Sequence, residues 1–255
     1  MMSDAQKEAL KARVIETRKY WHPFHQALLD LSPDYLEAYL GYNHAPFEAA
    51  NLDPKVCELI YVAVDGSVTH LYESGMARHM GFARKAGATD EEIMETIQLT
   101  MLTTHLTHDT GVPILLDEME RAGKALATGL SPEEQAAKDA YIAATGDWPS
   151  YGDALFRLAP HFVKSFLAYR AIPYGQGPLP AKVKEFICLA VCAAPTMLHE
   201  AGMRRHIRAA LRHGATPQEI SDVLQLASAI STHTCTFAVP ALVATRAEAE
   251  AETDD

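Results

Sequence analysis

Residues 71–93 read LYESGMARHMGFARKAGATDEEI, and residues 198–220 read LHEAGMRRHIRAALRHGATPQEI. The second segment repeats the first without a gap, and both keep the elements GM, RH and GAT in the same register. Gly87 and Gly214 hold the position at which a C-cap glycine ends a helix. Each segment therefore predicts one helix, a tight turn and the start of a second helix.

The repeat extends well beyond these two segments. Internal repeats are sought first because they decide how the whole chain is divided. Two further pairs of segments are separated by the same number of positions as the pair that starts at Leu71 and Leu198. They are LSPDYLEAYLGY from Leu31 with LAPHFVKSFLAY from Leu158, and LDPKVCELIYVAV from Leu52 with LPAKVKEFICLAV from Leu179. The period is too long for a solenoid unit. We therefore predict two homologous modules, residues 1–127 and 128–255, joined near Ser131.

Every long segment of the sequence reads as helix. Thr89, Ser131 and Thr216 each precede a glutamate by three positions, which is the capping-box pattern of a helix N-terminus. Apolar residues recur at helical spacing, and the alternating pattern of half-buried strands is missing. The predicted fold class is all-α, with two tandem homologous helical-bundle modules.

Composition narrows the classes of function. The 255 residues carry a formal net charge of −11, with 48% hydrophobic and 22% charged residues. This charge argues against nucleic acid and against an anionic membrane as a partner. No apolar run is expected to reach membrane-spanning length, and the charged N-terminus has no signal-peptide pattern. The four cysteines form no CxxC pair, so a reduced cytoplasmic setting is expected.

One glutamate recurs inside the most apolar helix of each module. Glu58 lies in CELIYVAV and Glu185 in KEFICLAV. Partial removal from water would suit such a carboxyl group to proton transfer. The alternative is a first-turn glutamate that is favoured by the helix dipole or paired with Lys55 or Lys182.

One histidine recurs on the next helix. His79 and His206 both follow the glycine of the GM block by four positions, which places them on or beside the buried face. That glycine would let a second backbone or a ligand approach closely. The expected roles are acid–base catalysis or, alternatively, a hydrogen-bonded structural histidine.

The two copies differ at the polar positions around this histidine. His199 in the second copy replaces Tyr72 in the first, and it is a further catalytic candidate because it lies two helical turns before His206. One explanation for the differences is that only one site is active; drift is the other. The candidate substrate-binding residues are His70, Tyr72, Glu73, Glu200, Arg204, Arg205 and His233.

Metal and thiol chemistry are weaker alternatives. His105, His108 and Asp109 form HLTHD, which matches no standard zinc motif, so no metal ligands are assigned. Cys188 and Cys192 lie one helical turn apart, but buried cysteines act more often as small apolar residues.

The repeated blocks resemble the carboxymuconolactone decarboxylase family, which includes the alkylhydroperoxidase D-like proteins. The segments HMGFARKAGATDEEI and HIRAALRHGATPQEI carry the resemblance, together with the apolar helices before them. It covers both modules, so the chain looks like a fused tandem member. The peroxidase branch has CxxC just before the histidine, and both copies lack these thiols.

The resemblance implies a compact all-α bundle that assembles into a homo-oligomer. It implies that Glu58, His79, Glu185 and His206 match the family's site residues, and that the decarboxylase branch needs no cofactor. The expected activity is loss of CO₂ from a small carboxylated or lactone substrate, followed by protonation of the resulting dienolate, a reaction of aromatic compound catabolism. The alternatives are a peroxidase-like oxidoreductase that uses cysteine, and a non-catalytic binding or scaffold protein.

Overall fold

The structure is a computed structural model, and it describes residues 2–102 and 106–253. Within these ranges the chain is helical and contains no strand, which confirms the all-α prediction. The helices are α1 (Asp4–Arg18), α2 (Pro23–Leu31), α3 (Pro33–Ala49), α4 (Pro54–Gly66), α5 (Glu73–Lys85), α6 (Asp90–Met101), α7 (Leu106–Arg121), α8 (Pro132–Thr145), α9 (Gly152–Leu158), α10 (Pro160–Gln176), α11 (Ala181–Ala193), α12 (Glu200–Arg212), α13 (Pro217–Ser228) and α14 (His233–Thr253).

The sequence repeat is also a repeat of helices. The helices α3, α4, α5 and α6 begin and end at positions that recur in α10, α11, α12 and α13 at the offset of the sequence repeat. The turn before α5 contains Leu71 at φ 47°, and the turn before α12 contains Leu198 at φ 46°. Because even this left-handed backbone conformation is repeated, the tandem two-module arrangement is confirmed.

The predicted helix starts follow from local hydrogen bonding. The side chain of Thr89 accepts a hydrogen bond from the backbone N–H of Glu92, and Glu92 accepts one from the backbone of Thr89. Ser131 and Thr216 form the same reciprocal arrangement. Each capping box satisfies two N–H groups that would otherwise have no partner at the helix start.

The compact units defined by packing differ from the two modules defined by the sequence repeat. One compact unit, here unit 1, comprises Met1–Leu52 and Ser228–Asp255, and the other, unit 2, comprises Asp53–Ala227. Unit 2 therefore holds the Glu- and His-bearing helices of both copies. The module boundaries 1–127 and 128–255 describe the duplication and stay a prediction.

The centre of unit 2 is built from equivalent helices of the two copies. Helices α4 and α11 pack against each other, α5 packs on α4, and α12 packs on α11. Leu59, Ile60, Ile187 and Leu189 are fully buried there. The hydroxyl groups of Thr69 and its equivalent Thr196 lie 3.0 Å apart. A contact between equivalent residues is the signature of a local two-fold relation.

A buried ion pair joins a residue of the second copy to a residue of the first. Lys184 Nζ lies 2.7 Å from Glu95 Oε1, and both side chains are at most 5% exposed. Lys184 also donates to the carbonyl of Pro173, and the backbone N–H of Leu179 donates to Glu95 Oε2 at 2.7 Å. The pair thus fixes the C-terminal end of α10 against α6 and α11.

Unit 1 has its own apolar core, formed by α1, α2, α3 and α14. The buried side chains come from α1, α2 and α3, with Val239 of α14 packed against them. They are Leu10, Val14, Phe24, Leu28, Leu29, Leu36, Tyr39 and Leu40.

One stretch, Pro217–Arg246, meets the length and composition of a membrane-crossing helix: it contains an 18-residue window with a mean hydropathy of 1.4, and 22% of that window is buried. The expectation that no apolar run reaches this length was therefore wrong. The stretch is interrupted by a 3₁₀ turn at Ala229–Thr232 and contains Pro240. A single such stretch is weak evidence for a membrane span, since length and composition alone define it.

Replacing one partner of the buried ion pair is expected to destabilise unit 2 strongly. Glu95→Gln leaves the Lys184 ammonium buried without its counter-charge, which should lower the free energy of unfolding by about 3 kcal/mol. Lys55→Gln is the matched control, because the Lys55–Glu92 pair is more exposed and should contribute less than about 1 kcal/mol. Urea denaturation measures both, and equal losses would contradict the account.

Candidate functional site

Each copy places one glutamate–histidine pair between its apolar helix and the following helix. Glu58 Oε2 lies 2.6 Å from His79 Nδ1, and Glu185 Oε2 lies 2.7 Å from His206 Nδ1. The Glu185–His206 pair is the less exposed one: both its side chains are 6% exposed, against 13% for Glu58. Two independent copies thus hold the same acid–base contact in a buried position.

A glycine in each copy permits this close contact between helices. A Cβ atom on Gly202 would lie 2.6 Å from Cys192 Sγ and 2.9 Å from His199 Nδ1. A Cβ atom on Gly75 would lie 2.3 Å from Asp65 Oδ2. These distances are shorter than van der Waals contact, so only glycine lets α5 and α12 approach α4 and α11 this closely.

A cavity of about 480 Å³ lies beside the second pair, within unit 2. This volume falls in the range of small-molecule sites. Glu185 lines the cavity, while the buried His206 contacts Glu185. Apart from Glu185, the polar or charged lining residues are Tyr141, Thr145, Arg170, Tyr174, Lys184 and His213, and much of the remaining wall is alanine.

The Arg170 guanidinium contacts two tyrosine rings of this cavity. It lies 3.6 Å from the ring centroid of Tyr174 and 5.1 Å from that of Tyr141. Burial raises the pKa of the Tyr174 phenol well above its usual range; Cys188 and Glu185 add to this rise, and Arg170 opposes it. The cavity therefore combines a carboxyl group, a cation and a phenol that stays protonated at neutral pH.

Sequence reasoning missed Arg170, Tyr174 and Tyr141. The available signal was the comparison of copies: Asn43 in the first copy corresponds to Arg170 in the second, and Val14 corresponds to Tyr141. A charge that appears in only one of the two copies is a site candidate.

The predicted carboxylate-binding arginines have other partners. Arg205 binds Asp109 through two hydrogen bonds of 3.0 and 2.7 Å, and Tyr151 donates to the same carboxylate. Arg204 pairs with Glu200 on the exposed surface of α12. Both arginines therefore hold the protein's own carboxylates, so Arg170 is the better candidate for a substrate anion.

The remaining second-copy candidates lie at helix ends. His199 is the N-cap residue of α12, and its Nδ1 accepts a hydrogen bond from the backbone N–H of Gly202 at 3.0 Å. This bond fixes the start of the helix that carries His206. His233 begins α14 and belongs to unit 1.

The first copy has a different set of polar neighbours. Its Tyr61 ring lies 4.6 Å from the ring of His79. His70 Nε2 lies 3.9 Å from the buried Asp65 carboxylate. Tyr72 is the N-cap residue of α5, and Glu73 is exposed in its first turn. Burial, opposed by Arg78 and assisted by Glu58, raises the pKa of Asp65 to about 7.

The HLTHD residues give no metal site within the described chain. His105 lies outside the described residues. His108 packs its ring against Phe162 at 4.6 Å, and Asp109 binds Arg205 and Tyr151. The Asp109 carboxylate therefore has protein partners.

The cysteines are free thiols, and those of the apolar helices are poorly suited to redox chemistry. Burial raises the pKa of Cys57 and of Cys192 to about 12, and it raises the pKa of Cys188 further. Because the thiolate is the reactive form, these sulfur atoms are unreactive near neutral pH. This disfavours a peroxidase that uses Cys57, Cys188 or Cys192.

Comparison with known proteins identifies one protein family and one related structure. The model of the carboxymuconolactone decarboxylase family matches residues 33–104 and 160–251. A crystal structure from Burkholderia xenovorans, provisionally described as a gamma-carboxymuconolactone decarboxylase subunit, is 30% identical. It superposes with a TM-score of 0.90, over 95% of this chain and 98% of that one. None of the curated proteins compared matches the chain.

Adding one methyl group where α12 contacts α11 should push these two helices apart. Gly202→Ala would force α12 away from Cys192 and lower the free energy of unfolding by about 1–3 kcal/mol. Gly81→Ala on α5 is the control: its Cβ would meet nothing within 4 Å, so better helix propensity should stabilise by about 0.5–1 kcal/mol. Thermal or urea unfolding measures both. The same sign for both variants would contradict the packing argument.

The buried Asp65 should make stability fall as pH rises. Its pKa is raised from 3.8 to about 7, so between these values the folded state binds more protons than the unfolded state. The stabilising protonated form is present at low pH and is lost as pH passes through 7. Asp65→Asn should flatten the stability profile between about pH 4 and pH 7, measured by urea denaturation at several pH values. An unchanged profile would contradict this assignment.

Proposed function

Because the chain belongs to the carboxymuconolactone decarboxylase family, we propose that it is a lyase that transfers a proton through Glu185 and His206. The substrate would be a small carboxylated or lactone compound, as in γ-carboxymuconolactone decarboxylation, and the chemistry would use no cofactor. The observation that carries the proposal is the buried contact of 2.7 Å between these two side chains at the wall of a cavity.

The geometry suggests a division of roles. Loss of CO₂ from an unsaturated lactone acid breaks a carbon–carbon bond and leaves the electron pair on a conjugated dienolate. Glu185 lies at the cavity wall and would deliver the proton that forms the new C–H bond. His206 lies behind it, within hydrogen-bond distance, and would pass its Nδ1 proton to the Glu185 carboxylate as the new C–H bond forms; water would replace that proton after turnover. The low exposure of the pair strengthens these electrostatic interactions.

We also propose that the chain forms a homo-oligomer, as the family resemblance implies. Large apolar side chains on α14 are exposed, with Phe237 at 81% and Leu242 at 58%. Exposed apolar surface of this kind is typical of a contact with another protein.

Substituting either member of the Glu185–His206 pair should slow turnover without unfolding the chain. Glu185→Gln and His206→Gln preserve size and hydrogen bonding but remove the transferable proton. Each should lower kcat by about 100-fold or more, measured as CO₂ release from γ-carboxymuconolactone, with deuterium incorporation from D₂O as a second readout. Wild-type activity in both variants would contradict the proposal.

The equivalent variants of the first copy tell which site turns over substrate. Glu58→Gln and His79→Gln make the same substitutions in the more exposed pair of the first copy. If the second copy carries turnover, the losses in these variants should be much smaller than those at Glu185 and His206. Equal losses would contradict the assignment to the second copy.

A further inference from the structure

We propose that the cavity beside Glu185 binds a small flat carboxylic acid, with Arg170 as the partner of its carboxylate. This inference rests on the proposed function and names the substrate-binding residue of that same site. None of the ion pairs within the described residues includes Arg170, whereas Arg204 and Arg205 are both paired. Arg170 is therefore the arginine of this region that remains available to an anion.

The tyrosines fix the geometry of that cation. The central carbon of the Arg170 guanidinium lies over the Tyr174 ring, 3.6 Å from its centroid, and Tyr141 lines the same cavity. Stacking on aromatic rings covers the faces of a guanidinium and leaves its N–H edges for hydrogen bonds. Such an edge matches the two oxygens of a carboxylate, which favours bidentate recognition.

The rest of the wall suits a flat apolar body. Ala137, Ala140, Ala144, Ala171 and Ala181 line the cavity and carry no hydrogen-bonding side chain. A volume of about 480 Å³ accommodates a small ring or conjugated chain but no large polymer. Glu185 lines the same space, so an acid held at Arg170 would lie within the same cavity as the proton donor.

The Lys184 ammonium also lines the cavity but is not a competing anion site. Its Nζ contacts Glu95 at 2.7 Å and the carbonyl of Pro173 at 2.6 Å. A substrate carboxylate at Lys184 would have to displace a buried ion pair. The positive charge available to a ligand is therefore that of Arg170, with the exposed His213 at the edge of the cavity.

The first copy lacks the residues that make this site. At the positions of Ala137 and Tyr141 it has Leu10 and Val14, which belong to the apolar core of unit 1. At the position of Arg170 it has the neutral Asn43, whose amide donates to the carbonyl of Tyr39 at 3.0 Å. The divergence between copies thus assigns the anion site to the second copy.

Calorimetric titration with benzoate and its neutral isostere benzamide tests the inference on the intact chain. Wild-type protein should bind benzoate at least about tenfold more tightly than benzamide, because only benzoate pairs with the cation. Arg170→Asn, which installs the first-copy residue, should remove this preference. Arg170→Lys keeps the charge but loses the planar fork, and it should retain only part of the preference. Arg121→Asn, on the exposed surface of α7, is the charge-matched control and should bind as wild type.

The outcomes separate this inference from the proposed function. Benzoate binding that is unchanged in Arg170→Asn, or equal affinity for benzoate and benzamide in the wild type, would overturn the inference even if Glu185→Gln abolishes turnover. Loss of binding in Arg170→Asn, with Glu185→Gln still binding benzoate, supports the anion site. That result would stand even if Glu185→Gln left turnover unchanged, which would overturn the proposed function alone.

Discussion

The structure depends on one constraint, the close approach of two helices that a single glycine permits in each copy. Gly75 and Gly202 leave no room for a side chain where α5 meets α4 and α12 meets α11. The contact brings a carboxylate from one helix within hydrogen-bond distance of an imidazole on the next. Because a hydrogen-bonded partner offsets the cost of burying a polar group, the apolar helices tolerate the glutamates.

The duplication conserved this contact while its surroundings diverged. In unit 2, Lys184 and Glu95 form a buried ion pair, and the equivalent positions hold Cys57 and Asp222. Beside the second glutamate–histidine pair, small alanine side chains on α8 leave space that Arg170 and two tyrosines border. The same arrangement of helices thus supports two glutamate–histidine pairs with different charged neighbours.

Much of the fold could be predicted because its signals are local. The capping box at Thr89 and the helix-ending glycine Gly214 involve only residues within one or two helical turns. Because the sequence is repeated, each of these patterns occurs in both copies. The contact between Glu58 and His79 was foreseeable from equivalent positions on adjacent helices and from the family resemblance.

The rest could not be predicted because it depends on contacts between distant segments. Arg205 was expected to hold a substrate, yet its partner Asp109 lies 96 positions away in the chain. The cavity was missed because its volume depends on alanines of α8, which lies outside the strongest part of the repeat. The packing of α4 on α11 likewise joins the two copies, and neither copy alone indicates it.

The most direct measurement of the central claim is NMR of the imidazole N–H protons in ¹⁵N-histidine-labelled protein. A buried Nδ1–H that donates to a carboxylate should give a downfield signal protected from exchange with water. The account predicts such signals for His79 and His206, with the His206 signal alone lost or strongly shifted in Glu185→Ala. Absence of both signals at neutral pH, or a His206 signal indifferent to the loss of Glu185, would contradict it.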